Sequence, residues 1–585
     1  MTARRAPQPG ILYICGLLAL LAAGHGAGAA IRVEISGVED DERNNVQLFL
    51  SIEQYKDQKD ISEGRVRALH ARAPNEIRAA LRPFGWYRPQ IESQLTSENG
   101  DWQAHYRIDP GPRLAVTTLD LKLTGEAEAD PAFDRLLTRF PLKPGEPLIH
   151  ARYEAGKRTL LNLGVERGYF DAQLIRSELR IDLNAYRADV ILHYDSGPRF
   201  HFGAVEIEQD IDLDPRLVLR MVPFKSGEPF DTGQVLKLQS ALSDSGYFQQ
   251  VDVQPRRDLA SGREVPVQLK LTGRAPNRYT LGVGFGTDTG VRGKVGWERR
   301  LINRAGHRFG TELSGSEIRT GVNARYTIPV GEPHIDQLAF NVGYVDDHPE
   351  TSDSQTYTVG ASYSHGRGLW RETLALNYQR EEFRVADEVG RSNLLVPGVN
   401  WLRIDSDDRL YARRGWRLQL DLRGTAESIG SDTSFLQGRA AGKYIYPLGE
   451  SARLIARLDL GATATSYFEQ LPASYRFFAG GDQSVRGYDY NTIGAINEAG
   501  EVIGGKYLAV GSLEVERSIV GKWSAALFYD VGNAFNDLST EFYKHGVGVG
   551  IRWRSPIGPV RIDYASAISE DGNPWRIHVV IGPDL

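Results

Sequence analysis

The chain has 585 residues, too many for one compact domain and enough for roughly three to five. A net charge of −6 gives no electrostatic reason to expect nucleic acid as a partner. The single cysteine, Cys15, excludes a disulfide anywhere in the chain, and a mean hydropathy of −0.36 excludes a bundle of apolar membrane helices.

The first segment reads as a targeting signal. Arg4 and Arg5 supply positive charge, an apolar run follows from Ile11 to Ala23, and Ala27-Gly28-Ala29 forms a small-residue cleavage pattern. The run is shorter than the ~20 residues of a membrane span. Tyr13 and Ile14 ahead of Cys15 argue against lipidation, which needs small residues there. Residues 1–29 are therefore expected to be a signal peptide, and a mature chain free of cysteine suits an oxidising compartment.

A repeat follows. Gly145-Glu146-Pro147-Leu148 recurs as Gly227-Glu228-Pro229-Phe230, and Gly168-Tyr169-Phe170 as Gly246-Tyr247-Phe248, with a looser copy at Gly85-Trp86-Tyr87. Gly111-Pro112-Arg113 recurs as Gly197-Pro198-Arg199. The offsets are all about 80 residues, the size of a small α/β unit. Three units are expected, at 30–114, 115–199 and 200–274. In the first, Ile77, Ala80, Leu81 and Phe84 fall on one helix face; in the third, Val235, Leu238 and Leu242 do so. The Gly-aromatic-aromatic step is expected to end each helix, with glycine in the left-handed region and the aromatics in the core.

From 275 to 585 the period changes to two. Trp416, Leu418, Leu420 and Leu422 alternate with Arg417, Gln419, Asp421 and Arg423. Trp523, Ala525, Leu527, Tyr529 and Val531 alternate with Ser524, Ala526, Phe528 and Asp530. About 16 such strands, many of ~10 residues or longer, run without an intervening helix, which fits a tilted bilayer crossing. A soluble half-buried sheet would also alternate; the strand length and number favour the membrane. The glycines at every second position, Gly282, Gly284, Gly286 and Gly546, Gly548, Gly550, precede no helix and so form no phosphate loop. In lipid every backbone polar group needs a partner, so the first and last strands are expected to meet. The last is Trp575 to Ile581, with Trp575, Ile577, Val579 and Ile581 facing lipid. Gly582 and Pro583 follow, which weaken a ladder, so this seam is expected to be the weakest joint of the barrel. The fold class is thus three tandem small α/β domains followed by a transmembrane antiparallel β-barrel of about 16 strands.

Three such repeats, a barrel of this size, and Phe478-Ala479-Gly480-Gly481-Asp482-Gln483-Ser484-Val485-Arg486-Gly487-Tyr488 resemble the TamA family, outer-membrane subunits of the translocation and assembly module. That family lies within the POTRA-plus-barrel superfamily, with BamA and the two-partner secretion exporters. Phe528-Tyr529-Asp530-Val531-Gly532-Asn533-Ala534-Phe535 resembles the superfamily's matching wall motif. The resemblance implies that Val485, Arg486, Gly487 and Tyr488 lie in the sixth extracellular loop, folded into the lumen, with Arg486 paired to an acidic residue of the wall. The alternation independently points Asp530 inward; Glu514, Glu516 and Asp563 also point inward and are rival partners. If Arg486 and Asp530 pair, exchanging their charges is expected to restore function in part. One departure is the stretch Leu410-Tyr411-Ala412-Arg413-Arg414-Gly415, where the family commonly has a proline ahead of the glycine.

The resemblance implies an assembly factor of the bacterial outer membrane with POTRA domains in the periplasm. Its partners would be a TamB-like periplasm-spanning protein, unfolded outer-membrane β-barrel clients such as autotransporters, and outer-membrane lipid. A two-partner-type secretion exporter or a passive pore is the alternative. No nucleophile elbow or zinc-spaced histidine pair is present, so no enzyme, cofactor or metal is expected.

Overall fold

The computed structural model describes residues 31–56, 58, 61–98, 101–408, 411–537, 543–555 and 558–581. The expected signal peptide, and Gly582 and Pro583 of the expected seam, lie outside the described residues. The chain divides into two compact units: residues up to 201 with 229–232, and residues 202–228 with 233 onward.

The first unit contains two α/β domains. In the first, β1 (Ile31–Ser36), β2 (Gln90–Glu98) and β3 (Asp101–Asp109) form a sheet in which β3 is central, parallel to β1 and antiparallel to β2. Trp102, Ala104, Tyr106 and Ile108 alternate into the core from β3. Against them pack α1 (Asp40–Phe49), α2 (Ser51–Gln54) and α3 (Glu63–Leu81). The Ser62 side chain accepts the Arg65 N–H and starts α3, whose Val66, Leu69, Ala73, Ile77 and Ala80 form the buried face. The helix stops at Leu81, one turn before Phe84, where the spacing predicted its end. Pro83 brings no N–H for another helical bond, so Arg82–Phe84 tighten into a 3-10 turn, and Gly85 follows at φ +88°. Gly168 and Gly246 repeat that left-handed step at φ +84° and +75°, conformations costly for any side chain. The second domain has the same plan, with β4 (Ala115–Thr124), β5 (Gln173–Asp182) and β6 (Arg187–Asp195) in the order β4-β6-β5 and helices α4 (Pro131–Thr138) and α5 (His150–Glu166).

The second unit opens with all but a few residues of a third such domain: β7 (His201–Gln209), α6 (Pro215–Leu219), α7 (Thr232–Asp244), β8 (Phe248–Pro255) and β9 (Glu264–Gly273), in the order β7-β9-β8. Sixteen strands follow, β10 (Asn277–Gly286) to β25 (Trp575–Ile581), each hydrogen-bonded to the next in chain order. All neighbours are antiparallel, as hairpin connections require. The outer face is apolar: Tyr279, Leu281 and Val283 of β10 are 77, 80 and 88% exposed, a pattern that only lipid explains on a sheet with a polar interior. No helix among the described residues is long and apolar enough to cross a membrane; the crossing is made by strands. The third domain holds the turn between β11 (Gly290–Arg299) and β12 (Arg308–Gly315). There the Tyr247 hydroxyl donates to the Gly306 carbonyl (2.5 Å) and the Arg308 guanidinium lies 4.4 Å from the Tyr247 ring centre.

Closure departs from the expected ladder. Among the described residues no backbone ladder joins β10 to β25. Two hydrogen bonds reach β25 from the β10–β11 hairpin instead, from the Val579 N–H to Thr287 Oγ1 in the turn (3.3 Å) and from Arg292 Nη2 on β11 to the Ile581 carbonyl (3.3 Å). Trp575 and Ile577 face outward, exposed, while Val579 and Ile581 are half-buried.

Candidate functional site in the barrel lumen

The site is built on the long connection between β20 (Ala452–Thr465) and β21 (Tyr507–Val520), strands eleven and twelve of the barrel. The connection turns inward and is fixed to the wall at separate places. On one side, Glu381 of β16 (Trp370–Val385) accepts the Ser474 N–H (3.1 Å) and hydroxyl (2.5 Å). The Tyr475 hydroxyl donates to Gln379 (2.9 Å), and Arg476 pairs with Glu388 at 2.6 Å.

On the other side sits Val485-Arg486-Gly487-Tyr488. Val485 and Tyr488 are buried with Phe477, Ala479, Leu508 and Val510 in a small apolar core. Gly487 has φ +100°, and a Cβ there would press on the Ser566–Ala567 backbone, so only glycine fits. Between these anchors Arg486 enters the wall of β21, β22 (Trp523–Phe535), β23 (Lys544–Ser555) and β24 (Gly558–Ala567). Its Nε and Nη2 donate to Asp530 (2.7 and 3.0 Å), and its backbone N–H reaches the same carboxylate at 3.1 Å. Nη1 donates to Glu514 (2.8 Å) and Asp563 (3.1 Å). The guanidinium stacks 3.4 Å from the centre of Phe528. In a water-excluded setting such a stack adds about 2 kcal/mol.

Period two explains how the wall presents these groups. Ser524, Ala526, Phe528 and Asp530 are the buried, inward face of β22. The rivalry among acidic residues resolves into a shared network: Asp530, Glu514 and Asp563 all contact Arg486. Glu516 does not; it pairs with Arg453 at 2.6 Å and accepts the Tyr411 hydroxyl at 2.6 Å. Sequence reasoning missed Arg552, which binds Glu514 (2.8 Å) and Asp563 (2.5 Å), and Arg457, 3.7 Å from Asp530. It also missed the purpose of the alternating glycines of β23. A Cβ at Gly546 would collide with the Arg486 carbonyl, one at Gly548 with the Phe528 ring, and one at Gly550 with Asp563. Gly546, Gly548, Gly550 and Arg552 share one face at i, i+2 spacing, a signal that was available in the sequence.

Arg486, Arg552 and the half-buried Arg457 thus face Asp530, Glu514 and Asp563 in one charged cluster, with Arg561 of β24 also close enough to act on Glu514. Such a cluster costs desolvation energy, which is recovered only with complete pairing; loss of one partner leaves an uncompensated charge and costs about 3–5 kcal/mol. The arrangement holds a loop in place and offers no activated nucleophile. One further group has metal-type donors: Asp288, Asp482 and His578 bring donor atoms within 4.8 Å of one another. Both ring nitrogens of His578 and both carboxylates are engaged in hydrogen bonds.

An apolar-faced barrel closed around its own inward loop, behind three small α/β domains, defines the class: an outer-membrane β-barrel protein with POTRA domains. Residues 303–584 match the Omp85 superfamily domain, residues 32–110 the first POTRA domain of TamA, and residues 200–272 a POTRA-type surface antigen variable number repeat. The chain thus carries an Omp85 superfamily domain together with a TamA-type POTRA domain. It is 25% identical to the outer membrane protein assembly factor BamA of Nitratidesulfovibrio vulgaris over 428 residues, covering 69% of this chain and 53% of that protein. It is 23% identical to BamA of Neisseria meningitidis over 500 residues, covering 74% and 62%. The crystal structure of BamA from Haemophilus ducreyi lacking POTRA domains 1–3 has the same fold, with a TM-score of 0.65 at 18% identity, covering 80% of this chain and 99% of that one. The chain spans between half and two thirds of the length of these two curated relatives.

Proposed function

We propose that this protein promotes the insertion of β-barrel proteins into the outer membrane, without catalysis and without nucleotide. One observation carries the reading: a sixteen-stranded barrel whose first and last strands share no ladder among the described residues. An unpaired edge in lipid is unfavourable, and it can be satisfied by the edge of an incoming client. Relatives named as assembly factors support the same reading. Within the superfamily, the match of 32–110 to a TamA-type first domain supports a TamA-type role, with autotransporters among its clients and a TamB-like periplasm-spanning partner on the POTRA domains. The loop fixed inside the lumen weighs against a passive pore.

The test uses the purified full chain in liposomes with an unfolded β-barrel client. The protease-protected, heat-modifiable client fraction should rise faster than in empty liposomes. Steady ion conductance with no effect on client folding would replace this reading with that of an exporter or pore.

A further inference from the structure

The few direct contacts between β10 and β25 leave open what holds the seam. The loop supplies an answer. Asp482 lies four residues before Arg486, over the junction of the turn after β10 with β25. Its Oδ1 accepts from Thr287 Oγ1 on the β10 side (3.0 Å) and from His578 Nδ1 on the β25 side (2.5 Å). Its backbone N–H donates to Asp288 Oδ2 (2.6 Å). His578, buried to 1% exposure, accepts the Gly487 N–H on Nε2 (2.9 Å). Those two bonds set the tautomer: a ring that accepts on Nε2 carries its proton on Nδ1 and donates it to Asp482. Asp489 of the same loop forms an ion pair with Arg576, also on β25. The loop therefore touches both edges of the seam through one carboxylate, and it is seated there by the Arg486 cluster that fixes Gly487.

We propose that Asp482 is the pin of a clasp that joins β10 to β25 in place of a backbone ladder, so that lifting the loop and parting the seam are one event. Carboxylate-centred bonds are directional and short, and all of them break together when the loop moves. A ladder would have to be unzipped residue by residue. The clasp stands independently of the assembly function, and its test uses no client.

The test is single-channel recording of the full-length protein in planar bilayers. Asp482→Ala removes the pin, and open probability should rise roughly tenfold or more, the ratio expected when a charge-assisted hydrogen bond is lost. Thr287→Val, which keeps shape and removes the hydroxyl, should act in the same direction. Heat-modifiable migration verifies folding of each variant. A Thr287→Cys/Val579→Cys pair is then added to Asp482→Ala; Cys15 is the chain's only native cysteine, so the pair has no competitor beyond the expected signal. Oxidation should return open probability to the wild-type value, and reductant should raise it again. Wild-type behaviour of both folded variants would overturn the clasp. So would openings that persist with the seam cross-linked, since they would then run through the lumen.

Discussion

At the scale of single residues, the Arg486 cluster decides what a charge substitution does. Arg486→Ala leaves Asp530 buried with Arg457 at 3.7 Å and Ser512 as partners, and the variant should lose about 3–5 kcal/mol of barrel stability, read as a fall in the temperature at which heat-modifiable migration changes. A simple ion pair would let Arg486→Asp with Asp530→Arg recover much of that. The structure predicts the opposite. An aspartate at 486 would face Glu514 and Asp563, and an arginine at 530 would face Arg457. The double variant should therefore be no more stable than either single, although the two residues are in direct contact. Substantial recovery would mean that Glu514 and Asp563 are remote from the loop in the membrane. Asp530 was legible in the sequence because strand alternation alone puts it inside. The same rule puts Arg552 and Arg457 inside, but alternation alone does not say which inward charges meet. Asp482 and His578 were not legible: they are 96 positions apart, and no periodicity links a loop to the last strand.

At the scale of elements, the domains of the first unit contain buried polar groups with different pH windows, one of which, Tyr87–His150, links the two domains. Asp130 begins α4 and accepts from the Ala132 N–H (3.0 Å) and from Arg167 (2.9 Å). Burial pushes its carboxyl upward, but the Ala132 N–H and the Arg167 guanidinium outweigh burial and hold it below the usual carboxylate range. Its stabilisation is complete above the ordinary aspartate value and is lost only as pH falls through the lowered one. His70 and His150 behave differently. Burial lowers both, so each is neutral in the fold and takes up a proton more readily when unfolded. Stability is full above the ordinary histidine value, about 6.5, and declines as pH falls below it. Each ring is bonded to a tyrosine hydroxyl, His70 to Tyr106 (3.0 Å) and His150 to Tyr87 (2.8 Å). Burial pushes the Tyr87 hydroxyl up to about 12, so it remains a donor to a neutral imidazole. Moving from about pH 7.5 to about pH 5 should therefore speed amide exchange in α3 and α5, after correction for intrinsic rates, while the N-terminus of α4 keeps its protection. Equal loss at all three would assign the effect to something other than the histidines. The repeat itself was legible from the Gly-aromatic-aromatic steps, whose glycines do sit in the left-handed region; the early end of α3 at Pro83 was missed because helical spacing was read through a proline.

At the scale of the whole barrel domain, strand length varies around the sheet, and the variation is centred on the seam. β12 has 8 residues, whereas β16 has 16 and β17 (Glu388–Ser406) has 19. At the usual rise and a tilt near 45°, the wall is roughly 19 Å tall at β12 and roughly 37 Å at β16, against a hydrocarbon core of ~30 Å. Individual strands were readable from alternation, and so was their number. The gradient was not, because strand ends are set by turns and by how far each hairpin extends beyond the membrane. Closure departs from the expected weak ladder because side chains of an inward loop reach both sides of the gap, a contact that strand alternation does not encode. A wall shorter than the bilayer compresses lipid beside it, at a cost of fractions of a kcal/mol per Å. A client crossing there meets a thinner barrier than one inserting elsewhere. Spontaneous insertion slows as acyl chains lengthen, but insertion at a locally thinned edge should slow less. The ratio of assisted to unassisted client insertion should therefore grow as phosphatidylcholine chains are lengthened in otherwise matched liposomes. A ratio that stays constant across chain length would remove lipid compression from the mechanism and leave the parting of β10 from β25 as the whole of the protein's contribution.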